Sequence, residues 1–391
     1  MNLDFDENFQ QIVNALKLNG AHPYSPRDWK WFIKFVIMQG AYEAMLFLLL
    51  YNIKEYGIKN KDLIRFCGDS TLVLMNLVIT FKYATLLKHQ DTFRNLIEHV
   101  KADYEHAKTL PAEEMEIVLE YNRKGQFVTK WWCRTVNWGV MVYPLQAIGF
   151  TIYSAINDDF YIADLYPAHF PNLEDRSLLR FVLVNFIMGF GMLYTCLMYN
   201  SLVPLGPVLM LHASGQLALL ESRLKNLFPD QGFSAEETNK TLKDIAKELT
   251  IIYSFVEKIQ EAFQALYDIT LKGTAFVLPL LAYSIVQAMR NKRIPPENPV
   301  PIFIGAILFG SFPCYYSDKL LEHSDSFREG IYSCGWEKHW DRSSRVVLLV
   351  ILTRTSRLMV IRTMFRVVCL DTLADVFKEA YTIFNLLLTI M

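Results

Sequence analysis

The chain has 391 residues, of which 52% are hydrophobic and 14% aromatic, yet 20% are charged and the net charge is only −1. A mean hydropathy of +0.18 argues against a soluble enzyme and predicts membrane spans diluted by water-facing helices. Near-neutral charge also argues against a nucleic-acid partner. The predicted fold class is therefore all-α, a polytopic membrane protein.

The opening MNLDFDENFQ is acidic and lacks an apolar core. No signal peptide is read there, so the first span is expected to act as its own insertion signal. Apolar stretches of spanning length follow at about 31–53 (with Lys34 and Glu43), 70–87 (interrupted by Lys82), 135–157, 181–211, 263–289 (holding Lys272) and 299–317. The stretch 372–391 makes a seventh transmembrane helix. Seven spans put the two ends of the chain on opposite sides of the bilayer. Lys and Arg concentrate in the amino-terminal tail and the even-numbered connections, which predicts a cytoplasmic N-terminus and an extracellular C-terminus.

Between the spans, 91–128 carries Phe93, Leu96, Ile97, Val100 and Tyr104 at helical spacing. The tract 234–262 does the same with Leu242, Ile245, Leu249, Ile252 and Val256. Both read as cytoplasmic helix extensions with one apolar face. The connection 157–180 holds Phe160, Tyr161, Tyr166, His169 and Phe170 among prolines and reads as an ordered cap. A tract at 317–366 places Arg345, Arg354, Arg357, Arg362 and Arg366 at irregular steps, unlike the sustained three-residue spacing of a voltage sensor. It reads as a cytoplasmic helix able to pack against copies of itself.

In the outer halves of the spans, Met75, Val78, Tyr143, Ala147, Phe150, Thr151, Met188, Met192, Phe303 and Ile307 form a Met- and Phe-rich, nearly uncharged set. Such residues suit an apolar cavity for a small uncharged ligand, and equally suit lipid-facing and interhelical packing. At the end of the chain, Asp375, Glu379, Thr382, Leu386 and Thr389 recur at steps of four, three, four and three and share one helix face. Tyr381, Ile383, Phe384, Leu387, Leu388 and Ile390 cover the rest. A polar seam with one leucine near its outer end suits a pore-lining helix gated by dewetting, and also suits a final helix packed in a bundle.

The six cysteines, Cys67, Cys133, Cys196, Cys314, Cys334 and Cys369, show no CxxC spacing and read as reduced thiols packed as small hydrophobes. The sequon Asn239-Lys240-Thr241 falls on the predicted cytoplasmic side and is expected to be unused. No GxSxG, HExxH, GxGxxG or Walker motif is present, no cofactor or metal site is read, and His212 is expected to be a packing residue without a partner that would make it a base.

The run FPCYYSDKLLEHSDSFREGIYSCGW, Phe312 to Trp336, resembles the block joining the sixth and seventh spans of insect odorant receptors. It shares the Cys, the Leu-x-Glu-x-Ser step and the Tyr-Ser-Cys-x-Trp ending, and it is followed by Arg354 and by the pattern Leu370-Asp371 through Thr382, Phe384 and Leu386. The segment LHASGQLALLESRL is similar to the end of the family's fourth span. The resemblance implies an odorant-gated, non-selective cation channel of four subunits that share a cytoplasmic anchor and surround a pore with their last helices. Leu386 then matches the gate position, Thr389 the polar residue just outside it and Thr382 a residue below it. The ligand pocket implied lies in the outer half of spans two, three, four and six. The connection around Phe228 to Thr238 lacks the long insertion of the family's co-receptor. This chain therefore resembles a ligand-tuning subunit that binds a small volatile odorant and joins the co-receptor as a heterotetramer in the plasma membrane of sensory neurons. Thr355 and Ser356 stand where many relatives carry Gln and Pro, and Lys378 neutralises part of the seam of Asp375 and Glu379.

The regions expected are 1–316 for six spans with their extensions and the outer-leaflet pocket, 317–370 for the anchor and 371–391 for the pore helix. A G-protein-coupled receptor would carry an external N-terminus, a gustatory-type receptor a different terminal motif, and a transporter paired broken helices; Pro204 and Pro207 have no counterpart in another span.

Overall fold

Helices start where a side chain can satisfy their first amides. Asp28 accepts from the Trp31 amide at 2.8 Å, Asp62 from Arg65 at 3.2 Å and Ser177 from Arg180 at 3.2 Å, so three spans open on an oxygen cap. The computed structural model describes residues 3–60, 62–157, 160–171, 177–227, 235–290, 299–338 and 342–390. Short helices α1 (Phe5–Asn8) and α2 (Gln10–Leu18) precede α3 (Trp29–Asn52), which ends in a π-helical turn at Ile53–Ile58. Then come α4 (Leu63–Lys88), α5 (Gln90–Ala107), α6 (Ala112–Ile156), α7 (Leu178–Leu202), α8 (Leu205–Lys225), α9 (Ala235–Arg290), α10 (Val300–Tyr332), α11 (Arg342–Thr355) and α12 (Leu370–Ile390).

Stretches in α3, α4, α6, α7–α8, α9 and α10 are long and apolar enough to cross a membrane. Helix α12, the seventh span expected from the sequence, is not among these six; it carries Asp371, Asp375, Lys378 and Glu379 in its first half. Several boundaries differ from the sequence reading. The stretch 181–211 is two helices, because Pro204 lacks an amide proton and interrupts the run after Leu202. The tract 91–128 is likewise two, turning at 108–111, where Pro111 precedes α6. Helix α10 passes residue 317 without a break. Of the five arginines of the following tract, Arg345 and Arg354 lie on α11 and the other three beyond it. Beyond Thr355 the tract runs as irregular chain with one antiparallel bridge, Arg362 to Val367. Thr355 and Ser356 both bond back to the Leu352 carbonyl, at 2.9 and 3.3 Å, so the helix ends there without a proline. The connection at 228–234 lies outside the described residues.

One end of the bundle, the base, is a packed helical domain. Helix α8 lies at its centre, with almost every residue from Leu205 to Leu220 buried. Close approach requires glycine: a Cβ on Gly215 would lie 2.9 Å from the Tyr121 ring. The apolar faces of α5 and α9 pack here as their spacing predicts, with Phe93, Leu96, Val100, Leu242, Ile245 and Leu249 all buried. Arg223 of α8 holds Glu114 of α6 at 2.8 Å and Glu248 of α9 at 2.6 Å, fixing three helices through one guanidinium.

His212 has a partner, contrary to the sequence reading. Its Nε2 lies 2.8 Å from Asp103 Oδ2 on α5, and His99 Nε2 approaches the same oxygen at 3.6 Å. Phe255 stacks on His99 and meets the edge of His212. A catalytic role gains nothing from this, because the cluster is a buried tie between α5, α8 and α9. None of the six cysteines is in a disulfide.

The base predicts a pH dependence. Burial pushes the imidazoles of His22, His99 and His323 below their ordinary value of 6.5. Asp103 opposes this at His99, while His212 and Lys258 add to it. The unfolded chain therefore binds these protons more readily, so the stability they lend is complete above about pH 6.5 and lost as pH falls through the lower folded values. The thermal midpoint of the solubilised protein is expected to drop between pH 7 and pH 5. Replacing His323, whose Nε2 meets Tyr121 Oη at 3.1 Å, by Gln should flatten part of that slope; a midpoint constant across the range would contradict the assignment.

Candidate pore helix and ligand-facing interior

Helix α12 is anchored at its start, where the Leu370 amide donates to Asp318 Oδ2 of α10 at 2.9 Å. Leu373, Val376 and Ala380 are buried, with Phe377, Ile383, Phe384, Leu387 and Leu388 half-buried behind them. The opposite face is exposed and carries Asp371, Asp375, Lys378, Glu379, Thr382, Asn385, Leu386 and Thr389. All five sequence-predicted residues thus fall on one outward face, with Leu386 56% exposed among polar neighbours. Tyr381, expected with the packed side, lies at the edge of this face and is exposed.

The chemistry of the seam is asymmetric. Thr382 and Thr389 donate their hydroxyl protons back to Lys378 O and Asn385 O, both at 2.9 Å. Their oxygens therefore present lone pairs outward, as a cation needs. Lys378 Nζ lies 3.0 Å from Asp375, and Arg366 reaches Glu379 at 2.7 Å from the preceding hairpin. The carboxylates at the base end of the seam are thus largely compensated.

The ten pocket residues divide. Tyr143, Ala147 and Met188 are buried; Met75, Val78, Phe150, Thr151, Met192, Phe303 and Ile307 are half-buried. Thr151 donates to Ala147 O at 2.9 Å and accepts from the Ala163 amide at 3.0 Å, so its hydroxyl is committed to the cap. On α10, Gly310 follows Ile307 by one turn and sits against Thr274 of α9 and Leu373 of α12. The row of Phe303 and Ile307 is therefore on the side of α9 and α12. The α10 side chain that meets α4, α6 and α7 is Phe309: its ring lies 3.8 Å from Lys82 Nζ, 6.4 Å from Trp132 and 4.9 Å from Tyr199. Sequence reasoning missed Phe309, Trp132 and Tyr199, and noted Lys82 only as an interruption. A lysine inside an apolar span was the available signal.

Residues 160–171 close the end opposite the base. Arg180 is 7% exposed and holds Asp164 at 2.5 Å together with the Ala168 carbonyl. Tyr166 Oη donates to the buried Asp69 at 2.7 Å. The His169 amide donates to Asn52 Oδ1 at 2.8 Å, and its ring stacks on Tyr56 at 3.8 Å. Over 160–171 the connection packs as the expected cap, with Phe160 and Tyr161 exposed on it; the parts of the 157–180 reading at 158–159 and 172–176 lie outside the described residues. A separate groove of about 610 Å3 lies at the base between Tyr253, Glu257, Val346, Leu349, Val350 and Arg357; it includes none of the ten residues.

These features define a multi-pass helical membrane protein with a capped bundle, a packed base and a polar-faced last helix. A family model described as 7tm Odorant receptor matches residues 62–381. Odorant receptor 2a of Drosophila melanogaster is 23% identical over 235 residues, 57% of this chain and 59% of that relative. Odorant receptor 22b of the same species is 23% identical over 133 residues, 32% of each. The matched stretches thus span less than two thirds of those relatives. The solved structure of the insect olfactory receptor OR5 from Machilis hrabei in complex with eugenol superposes with a TM-score of 0.79 over 98% of both chains at 14% identity. The structure of the same receptor described without eugenol gives 0.74 over 99% of this chain and 97% of that one, also at 14% identity. At that identity the likeness bears on the fold. The chain belongs to the seven-transmembrane odorant receptor family, a family of receptors and not of enzymes.

Breaking the cap's central pair tests its architecture. Arg180→Met leaves Asp164 uncompensated in a nearly dry site, at a cost of about 3 kcal/mol. The expected result is faster amide exchange across 160–171 with the base helices unchanged, read by mass spectrometry; unaltered exchange in the loop would contradict the role of the pair.

Proposed function

We propose that this chain is the ligand-tuning subunit of an odorant-gated, non-selective cation channel, working with co-receptor subunits as a heterotetramer in the plasma membrane of sensory neurons. The exposed seam of α12 carries the reading. A helix that turns Thr382, Leu386 and Thr389 away from its own subunit suits a shared axis. There hydroxyl oxygens contact cations and a ring containing Leu386 closes the path by dewetting. In this reading the base lies in the cytoplasm with the amino terminus, the cap faces outward, and the groove beside α11 belongs to the anchor.

The ligand is a small volatile held in the outer half of the bundle among Met75 and Val78 of α4, Tyr143, Ala147, Phe150 and Thr151 of α6, and Met188 and Met192 of α7; on α10 the residue facing this group is Phe309, while Phe303 and Ile307 lie on the side of α9 and α12. The eugenol of the similar receptor is one member of that class and a natural first compound to try. Opening requires that ligand bind the open arrangement more tightly than the closed one, since only differential affinity shifts the population.

The deciding experiment is whole-cell current from cells expressing this chain with and without an insect odorant co-receptor, challenged with a panel of volatiles. Current only when both subunits are present supports the proposal; silence from a complex shown to be at the surface counts against it. Within a responding complex, Leu386→Thr is expected to raise ligand-independent current. Arg366→Gln, which frees Glu379, is expected to raise divalent over monovalent permeability. One uncompensated charge about 4 Å from a hydrated path contributes about 1 kcal/mol. Unchanged reversal potentials would remove Arg366 and Glu379 from the inner mouth.

A further inference from the structure

Lys82 is 6% exposed, and the face of Phe309 at 3.8 Å is its one partner among the described residues. The aromatic contact does not balance its burial. A desolvated cation–π contact contributes about 2 kcal/mol, whereas burying an ion costs several. Lysines near a helix end usually relieve this by snorkelling to water. Lys82 is poorly placed to do so, because side chains lean toward the N-terminus of their helix. The N-terminus of α4 is at the cap, where Arg65 bonds the Pro167 carbonyl. The stem of Lys82 therefore leans into the bundle, away from the base.

Its neighbours continue the stripes of the ligand site. Lys82 follows Met75 by seven residues and Val78 by four. Trp132 precedes Tyr143 by eleven, and Tyr199 follows Met188 by eleven and Met192 by seven. At helical spacing each pair shares a face. Trp132 Nε1 donates to Tyr199 O at 3.1 Å, and both rings pack on Phe309. An aromatic floor thus closes three helix stripes, with one ammonium-bearing side chain set into it.

We propose that Lys82 is the polar anchor of the ligand site and that the ligands it selects are small monocarboxylic acids. The carboxylate pairs with Nζ above Phe309, and the alkyl chain extends toward the cap along Val78 and Met75, four and seven residues before Lys82 on the same face of α4. The ion pair is the same whether Nζ arrives protonated or takes the proton of the acid. A neutral ester or alcohol of equal length fills the same apolar space but leaves the lysine without a counter-charge. The inference rests on the outer-half ligand site proposed above and assigns its ligand class.

The test is direct binding of tritiated hexanoic acid and tritiated methyl hexanoate to membranes containing the full chain with an insect odorant co-receptor. Membranes containing the co-receptor alone supply the background. The acid is expected to bind at least tenfold tighter than the ester. Lys82→Met should abolish that difference by weakening the acid alone, and Lys82→Arg should retain it. Acid bound no better than ester, or both weakened equally by Lys82→Met, overturns the proposal. Should Lys82→Met fail to reach the surface, the wild-type preference and its retention in Lys82→Arg decide the matter. Binding is read without current, so acid binding in a silent complex would sink the channel reading and leave the anchor standing. Currents evoked by neutral volatiles without acid preference would do the reverse.

Discussion

Helix α9 runs as one unbroken element from the base through the membrane, and what holds α12 in place passes largely through it. Tyr253 Oη donates to the carbonyls of Arg354 and Arg357 at 3.2 and 2.6 Å, which fixes the end of α11. Gln260 then clamps Arg362 through both of its backbone groups, at 2.6 and 2.5 Å. Lys272 lies over Phe365 at 4.8 Å, and Arg366 carries the hairpin onto Glu379. The connection between α11 and α12 is therefore a rigid strap on α9. A helix so tethered at its base end pivots more easily than it slides, and displacement grows toward Leu386 and Thr389, farthest from the strap.

Charge placement follows the same division. At the base and in the cap, charges withdrawn from water have polar partners: half-buried Arg223 with two glutamates, buried Arg180 with Asp164, and half-buried Asp103 with the His212 ring. Such networks cost desolvation but specify one arrangement of helices. In the middle of the bundle the pattern changes. Gln39, Glu43 and Thr80 bond one another at 2.6 and 2.8 Å, while Lys82, two residues beyond Thr80, meets an aromatic face as its one partner among the described residues. Charges are thus paired at the two ends of the bundle and under-compensated at Lys82 between them.

Much of this was legible in the sequence where contrast along one helix is strong. The face of α12 could be read from Asp375, Glu379, Thr382, Leu386 and Thr389 because polar and apolar residues alternate there at the helical period. The apolar stripes of α5 and α9 could be read for the same reason. Hydropathy averages over a window, so the interruption at Pro204 and the passage of α10 beyond residue 317 were hidden from it. Facing partners were hidden too. Asp103 and His212 stand 109 residues apart, and no periodicity reports which helix lies opposite. The choice of Phe303 and Ile307 shows this limit: they share a genuine face of α10, but Gly310 shows that face turned to Thr274 and Leu373. Only tertiary packing identifies Phe309 as the residue on the other side.

The adjacency of Phe309 and Gly310 links the two proposed sites through a single turn of α10. Phe309 covers Lys82, while a Cβ built on Gly310 would already lie 3.3 Å from Leu373 Cδ1 and from Thr274. That row therefore has almost no slack. In the proposed site, a ligand that pairs with Lys82 competes with the Phe309 ring for Nζ, and would press on that ring or on the backbone that bears it. A backbone shift at Phe309 reaches Gly310 undiminished, because the two residues share a peptide plane. Close-packed surfaces respond to such a push by moving to another arrangement instead of compressing. The buried side of α12 at Leu373 takes that push a few residues beyond its strap, where a small tilt is amplified toward the leucine. No long chain of intermediaries is needed: two neighbouring residues of one helix, one facing the proposed ligand and the other the proposed pore helix, supply the coupling.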